Sequence, residues 1–426
     1  MKITFSSQRH QQLLRLVCLG CLVLLFHHDD HAESNRSTRF HGDYSSSLDV
    51  SSASSKIELA HEFGRLHFPP KSQFGGSTVI QPRSTRVALV SDPTSKERHP
   101  NQLELAPEGT FSIVIIPDTQ RYQGSGTKGA ANDSSMVTNP IFEKWTDWIA
   151  ANIKQQRIKF VSHVGDIVDV NHPAQWSIAK GCMDKLHGRV PYGISVGNHD
   201  MTGDGNSSLY QKFFPKAHFE RFSWYGGCFE NPNGSQSISG NNSNSLQLFE
   251  AGGMKFIYLH LECNAPDKVL HWANSTLEHY RDRRALITTH MGLGPRDKPT
   301  QPQDYFDAPK GRMLWTKRHG DRGNSPQQMW DKCFKLHPNL FMVCCGDQSR
   351  TQAMRQESIG EHGNPIHELL SDYGDGGIRV MRFIPSSNRI EVRTYDPVSQ
   401  SLCESTSIVK DRDQHQFSIP YVMKPD

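Results

Sequence analysis

Five short, mainly apolar segments of this chain are each followed within two residues by a polar side chain, and this recurring pattern limits the fold more than any other feature. The segments span residues 111–116, 160–164, 192–196, 285–289 and 340–345. The polar residues that follow them are Asp118, Asp166, Asn198, His290 and Asp347. Ligands of α/β proteins bind beyond the carboxyl ends of parallel strands. We therefore expect these five side chains to meet in one crevice.

The order of predicted elements indicates an α/β protein. Helical spacing of apolar residues over 140–153 and 173–186 separates the first three predicted strands, which should therefore be parallel. Alternating segments between 378 and 395 predict antiparallel strands, which suggest a second sheet packed on the first. Residues 201–250 and 292–324 are predicted to be long surface segments beside the site.

The N-terminal region is predicted to direct export. Residues 1–32 place basic residues before an apolar run that is too short to cross a bilayer of about 30 Å, which is the layout of a signal peptide. Residues 33–106 are rich in serine and arginine and predict a low-complexity linker. The compact domain is expected at 107–426, in a secreted, periplasmic or cell-surface protein. The alternative is a cytosolic protein with an apolar N-terminus.

Composition narrows the range of partners. The net charge of +3 over 426 residues argues against an obligatory nucleic-acid partner. Once the signal peptide is removed, no apolar stretch of the sequence is long enough for a transmembrane helix. Seven of the nine cysteines would remain, in no zinc-binding arrangement, and one or two disulfides stay open. The oligomeric state cannot be read from the sequence.

The polar residues at the strand ends are ligands for divalent cations. They are carboxylate, amide and imidazole groups, and thiolates are absent from the set. Two cations about 3.5 to 4 Å apart, bridged by a carboxylate, would hold a phosphate and convert a water into a hydroxide nucleophile. Next to these ligands, His199 is positioned to protonate a departing alkoxide. Asp200 is predicted to orient or charge the His199 ring.

The motifs resemble those of the calcineurin-like binuclear metallophosphoesterases. The chain contains that family's G-D-x-x-D motif at 165–169, its G-N-H-D motif at 197–200 and its lone histidine, His290. The resemblance covers residues 111–395 and implies a four-layer sandwich of two packed mixed sheets flanked by helices. It also implies that Asp118 binds one metal, that Asp166 bridges two, that Asn198 and His290 bind the second and that His199 is the general acid.

Two motifs depart from the family pattern. Gln120 stands where the family has histidine, and Asp347 and Ser349 stand where it has two more. Gln120 and Asp347 are still predicted as ligands, while Asp169 and Ser349 are predicted to contact the ligands without binding a metal themselves. The oxygen-rich set favours Mn²⁺ or Fe over Zn²⁺ as the two divalent ions.

These residues predict an exported phosphoesterase that hydrolyses a phosphate mono- or diester with a metal-bound hydroxide and a histidine acid. The alternative is a metal-binding or surface protein that keeps the fold and has little activity. Basic residues between 296 and 322 could bind the substrate phosphate, or could be solvated loop charge. The substrate itself cannot be read from the sequence.

Overall fold

The computed structural model of the chain describes residues 102–128, 132–232, 234–374 and 376–424. The signal peptide predicted at 1–32 lies outside these residues, as does the predicted linker apart from its last five residues. Both, and the boundary at 107, stay predictions. No helix of the described residues is long and apolar enough to cross a membrane. Each of the seven cysteines in the described part of the chain has a free thiol.

The first sheet has three parallel strands at its centre and one edge. Strands β1 (Phe111–Ile116), β2 (Ile158–His163) and β3 (Tyr192–Ile194) run parallel, as predicted. The strand after them in this sheet, β13 (Ile378–Ile384), pairs antiparallel with β1, and the sheet continues through β14 (Arg389–Asp396). Two further strands flank β14, namely β15 (Ser401–Leu402) and β16 (Gln416–Pro420).

The second sheet is also mixed and comes from the middle of the chain. Its strands, in spatial order, are β11 (Ala353–Ile359), β12 (Pro365–Ser371), β10 (Leu340–Cys345), β7 (Arg284–Thr289), β6 (Met254–Leu261), β5 (Ser245–Ala251) and β4 (Tyr225–Cys228). The four strands from β12 to β6 are parallel, and the outer pairs are antiparallel. The predicted pair of packed mixed sheets is confirmed.

Helices cover the outer faces of the sheets. Helix α1 (Pro140–Asn152) begins at Asn139, whose side chain accepts a hydrogen bond from Phe142 N, and buries Trp145 and other apolar residues in a core shared with the first sheet. The other helices are α2 (Pro173–Asp184), α3 (Ser208–Phe213), α4 (Lys216–Phe219), α5 (Asp267–His279), α6 (Asp304–Asp307) and α7 (Pro326–Lys332). α5 and α7 pack on the second sheet. A separate core of residues from both sheets fills the space between them, which completes the four layers.

The structure corrects two expectations about topology. The antiparallel strands between 378 and 395 do not form a second sheet but extend the first one, because β13 pairs with β1. The second sheet includes β4 and β5, although residues 201–250 were expected to form a long surface segment. Residues 292–324 also contain a short antiparallel ribbon of β8 (Leu293–Pro295) and β9 (Lys310–Arg312).

A small polar cluster lies inside the apolar space between the sheets. His260 on β6 donates its Nδ1–H to Gln247 Oε1 at 2.7 Å, so its Nε2 accepts from Ser162 Oγ on β2 at 2.9 Å. Ser162 also contacts Thr288 Oγ1 at 2.8 Å. Burial lowers the pKa of His260 to about 3. The two sheets are therefore joined by hydrogen bonds that need a neutral imidazole.

We expect this cluster to make stability depend on pH. The unfolded histidine titrates near 6.5 and the folded one near 3, so its contribution is present above pH 6.5 and is lost as the pH falls toward 3. Between pH 7 and pH 5 the free energy of unfolding of the wild type should fall by about 2 kcal/mol relative to His260→Gln. Urea unfolding of both proteins at the two pH values measures this. A difference between them that does not change with pH would contradict it.

Candidate metal centre

The predicted ligands lie beyond the carboxyl ends of strands in both sheets. Asp118, Asp166 and Asn198 follow β1, β2 and β3, while His290 and Asp347 follow β7 and β10. His290 Nε2 lies 3.2 Å from Asp166 Oδ1 and 3.4 Å from Asp347 Oδ1. The strand ends of the two sheets therefore meet at one place, as the sequence pattern predicted.

Three of these side chains form a compact set of donors. One ligand atom each from Asp118, Asp166 and His290 lies within 4.8 Å of the others, and all three residues are buried. His290 donates its Nδ1–H to Val164 O at 3.1 Å, so Nε2 of the neutral ring presents a lone pair to the carboxylates. Among the described residues, His290 Nε2 and Asp118 Oδ1 are buried without a hydrogen-bond partner. Because unpaired buried polar atoms are costly, this set fits a bound divalent cation.

The ionisation of these groups reflects a concentration of negative charge. Burial raises the pKa of Asp118 well above its usual value, and Asp372 raises it further. Burial alone would lower the pKa of His290, but Asp166 and Asp118 raise it well above the usual value. A proton on His290 and a divalent cation would thus compete for the same carboxylates.

Two glycines of the motifs allow the ligand loops to approach closely. A Cβ on Gly197 would lie 2.1 Å from Asp166 Oδ1, and one on Gly346 would lie 2.1 Å from Asp118 Oδ1. Asp166 itself has φ of 48° and Asp347 has φ of 71°, both in the left-handed region. This strained backbone turns both carboxylates into the crevice, as is common at functional sites.

His199 lies at the rim of this set. It donates its Nδ1–H to the Asp169 carbonyl at 2.6 Å, and its Nε2 lies 3.9 Å from Asp166 Oδ2. The ring is 27% exposed, so a substrate can reach it. Lys128, which the sequence did not single out, binds Asp169 Oδ1 at 2.6 Å and lies 3.1 Å from His199 Nδ1. Asp169 thus supports the imidazole through its backbone and a lysine through its side chain.

The structure does not place Asp200 against the His199 ring. Its Oδ1 accepts from Val168 N at 3.1 Å and its Oδ2 accepts from Gly197 N at 2.7 Å. Burial raises the pKa of Asp200 to about 7, with a further contribution from Asp166. Contrary to the sequence-based expectation, this carboxylate ties together the backbones of the two motif loops.

Two other predicted groups do not present a ligand atom to the set. Gln120 uses its amide N–H to donate to Asp166 Oδ2 at 2.9 Å, so it acts here as a partner of the bridging carboxylate. Ser349 is exposed, whereas the three grouped donors are buried.

Asn198 and Asp347 contact Lys317, which belongs to the basic residues between 296 and 322 that the sequence offered as phosphate ligands; its contact with predicted metal ligands was not foreseen. Lys317 Nζ contacts Asp347 Oδ1 and lies 3.4 Å from Asn198 Oδ1. Burial alone would lower the pKa of Lys317, but Asp347 raises it above its usual value, so the group is an ammonium. Arg318 donates its Nε–H to Asn198 O at 2.8 Å.

Other basic residues of the same segment have structural partners. Arg312 binds both carboxylate oxygens of Glu368, at 3.0 and 2.7 Å, and lies 3.7 Å above the Trp330 ring. Among the basic residues between 296 and 322, Lys317 and Arg318 contact residues of the candidate centre.

A further carboxylate near the centre was missed. Asp372 directly follows β12, and burial raises its pKa to about 7, with further contributions from Asp347 and Asp166. The sequence carried a weaker signal here, because the segment 366–370 before this aspartate contains three apolar residues, Ile366, Leu369 and Leu370. Its polar interruptions, His367 and Glu368, made the segment less recognisable as a strand.

A second group of metal-ligand types lies on the surface. It comprises Asp184, His187 and His218. Lys180 binds both oxygens of Asp184, at 2.7 and 2.6 Å, and Arg221 donates to His187 Nε2 at 2.9 Å. Since cationic side chains already hold two of the three groups, the strand-end set is the better candidate for a metal.

Comparison with known proteins identifies the part of the chain that contains most of the predicted site residues. A family model described as calcineurin-like phosphoesterase matches residues 111–321, a span that includes Asp118, Asp166, Asn198, His199 and His290. A curated relative, the uncharacterized protein YvnB of Bacillus subtilis (strain 168), is 27% identical over 329 residues, which are 74% of this chain and 22% of the relative. The chain thus spans well under half of that relative's length.

Among solved structures, a purple acid phosphatase from yellow lupin (Lupinus luteus) seeds matches with a TM-score of 0.44 and 13% identity, over 74% of this chain and 55% of that one. A dimetal phosphatase from Danio rerio matches with a TM-score of 0.39 and 10% identity, over 73% of this chain and 99% of that one.

Proposed function

We propose that the protein is an exported, metal-dependent hydrolase of phosphate mono- or diesters, a proposal that starts from the match of residues 111–321 to a family model described as calcineurin-like phosphoesterase. The observation that carries the proposal is the buried group of Asp118, Asp166 and His290 with the exposed edge of His199 at its rim. Export rests on the layout of residues 1–32. A mature N-terminus close to residue 33 in the secreted protein would test that part.

The residues around the centre have separable roles in this reaction. A divalent cation bound by Asp118, Asp166 and His290 would supply positive charge for phosphate oxygens and would lower the pKa of a water molecule. His199 keeps a proton on Nδ1 through the Asp169 carbonyl, so Nε2 is the atom that would give a proton to the leaving oxygen. Lys317 and Arg318 both contact Asn198, so their positive charges lie beside the candidate ligands and would bind oxygens of a substrate phosphate there.

A second candidate function is a metal-binding protein with little hydrolytic activity. It is favoured by the contacts of two predicted ligands. Gln120 donates its amide N–H to Asp166, and Asp347 pairs with the ammonium of Lys317. The oxygen-rich donor set in either case favours Mn²⁺ or Fe²⁺ over Zn²⁺.

Turnover separates the two candidates. The purified full-length mature chain should hydrolyse an aryl phosphate monoester or diester when supplied with Mn²⁺ or Fe²⁺, more slowly with Zn²⁺ or Mg²⁺, and not after treatment with a chelator. Metal binding without hydrolysis of either ester under any of the four ions would favour the binding protein.

A further inference from the structure

One cationic side chain occupies ligands that were predicted to hold a metal. Asn198 and Asp347 were both predicted as metal ligands, yet their side-chain oxygens Oδ1 face the ammonium of Lys317. The Asp347 side chain is 1% exposed and the Lys317 side chain is 30% exposed. The lysine therefore reaches inward from the surface to a buried carboxylate.

The position of Lys317 is determined by several contacts of its own segment. Its backbone N–H donates to Asn264 Oδ1 at 2.9 Å, and its Nζ lies 5.6 Å from the centre of the Trp315 ring. The neighbouring Arg318 is bound to Asn198 O. The next residue, His319, is buried with its Nε2 3.4 Å from Glu262 Oε2. Because both sides of the lysine are held, its backbone is already ordered where its ammonium contacts Asp347.

We propose that the Lys317 ammonium takes the place of one of the two divalent cations that the resemblance implies, so that the centre binds one metal ion per chain. The single ion would be held by Asp118, Asp166 and His290, the three donors that already lie together. An ion bound to Asn198 and Asp347 would have to share their oxygens with the ammonium, and the two like charges repel. This inference rests on the metal centre of the proposed function and adds to it how many ions it holds.

The donor types agree with this arrangement. The three histidines of the family pattern that this chain lacks, at positions 120, 347 and 349, leave fewer neutral ligands for a second ion.

A lysine in this position has a consequence for the substrate. An ammonium is a compact point charge with three donors, and lysine is a common phosphate ligand. A phosphate group would bind between the metal ion and Lys317, with the lysine taking over part of the charge neutralisation. The substrate class remains that of the proposed function, a phosphate mono- or diester.

Metal stoichiometry of the purified full-length mature chain tests the proposal without reference to activity. After saturation with Mn²⁺ and removal of unbound ion, elemental analysis should give about one Mn²⁺ per wild-type chain. Lys317→Ala and Lys317→Met remove the ammonium and free Asn198 and Asp347, so both should bind about two. Lys317→Arg keeps the charge and should stay at about one. Using two neutral substitutions, small and long, guards against a variant that does not fold.

The matched control is Lys335→Ala, since Lys335 is 29% exposed and pairs with Asp331 and Glu361 away from the centre. It should bind one ion, like the wild type. Two ions in the wild type, or one ion in folded neutral Lys317 variants, would overturn the proposal. These counts are independent of turnover: one ion per wild-type chain without hydrolysis would refute the enzyme and leave this inference intact, and two ions with hydrolysis would do the reverse.

Discussion

Replacing Asp166 with asparagine is expected to abolish metal binding and phosphoester hydrolysis together. Asp166 is the carboxylate closest to His290 Nε2 among the grouped donors, at 3.2 Å, and it also receives hydrogen bonds from Gln120 and from His199 N. Asparagine keeps the size and one acceptor oxygen but removes the negative charge that a cation needs. We expect hydrolysis to fall by at least about 10³-fold, which corresponds to about 4 kcal/mol of lost transition-state stabilisation.

Two measurements distinguish this loss from misfolding. Mn²⁺ should raise the melting temperature of the wild type, because a ligand at 100 times its Kd stabilises the folded state by about 2.7 kcal/mol. It should leave the melting temperature of Asp166→Asn unchanged, while circular dichroism shows an intact fold. Asp184→Asn is the control, since Asp184 belongs to the surface group. Loss of metal binding in Asp184→Asn but not in Asp166→Asn would place the metal at the surface instead.

Replacing His199 with alanine is expected to slow the reaction without releasing the metal. The ring contacts the Asp169 carbonyl through Nδ1, and its Nε2 is 3.9 Å from the nearer oxygen of Asp166, so it supports no ligand through a hydrogen bond of its own ring. Removing a general acid typically costs about 10²- to 10⁴-fold in rate. The loss should be large for alkyl phosphates, whose leaving groups need a proton, and small for aryl phosphates with acidic phenols.

The comparison across leaving groups is what identifies a proton donor. A role confined to structure would slow all substrates by the same factor, whereas a lost acid makes the rate depend steeply on the leaving group's pKa. His271→Ala, at an exposed position on α5, serves as the control. Unchanged rates of His199→Ala on alkyl phosphates, with metal still bound, would remove the general-acid role.

The candidate metal ligands that follow regular strands were the part of the site that the sequence predicted best. Asp118, Asp166 and His290 each come within three residues of a buried strand. Parallel strands of one sheet end at the same edge, which predicts that Asp118 and Asp166 converge. That His290 joins them depends on how the second sheet packs on the first. Asp372 satisfies the same condition and was missed because its strand β12, which lies between the edge strand β11 and β10, includes polar residues.

The roles of Asp200 and Gln120 could not be derived in this way. Both lie one or two residues from a predicted functional group, and adjacency in sequence suggested that Asp200 contacts His199 and that Gln120 points at a metal. Side-chain direction at such positions depends on the φ and ψ angles of an irregular loop and on the backbone groups it packs against. Asp200 turned to two backbone N–H groups, and Gln120 turned its N–H to Asp166.

The sequence by itself determined the α/β class, the three parallel strands of the first sheet and the place where the donors gather, because hydrophobic periodicity and strand polarity are local properties. Only the tertiary structure decided that β13 joins β1 and that Lys317 reaches Asn198 and Asp347, residues 119 and 30 positions away from it. Those contacts depend on how long loops return to the sheets, and no local pattern encodes that path. The proposed replacement of a divalent cation by the Lys317 ammonium therefore depends on contacts that only the folded chain makes.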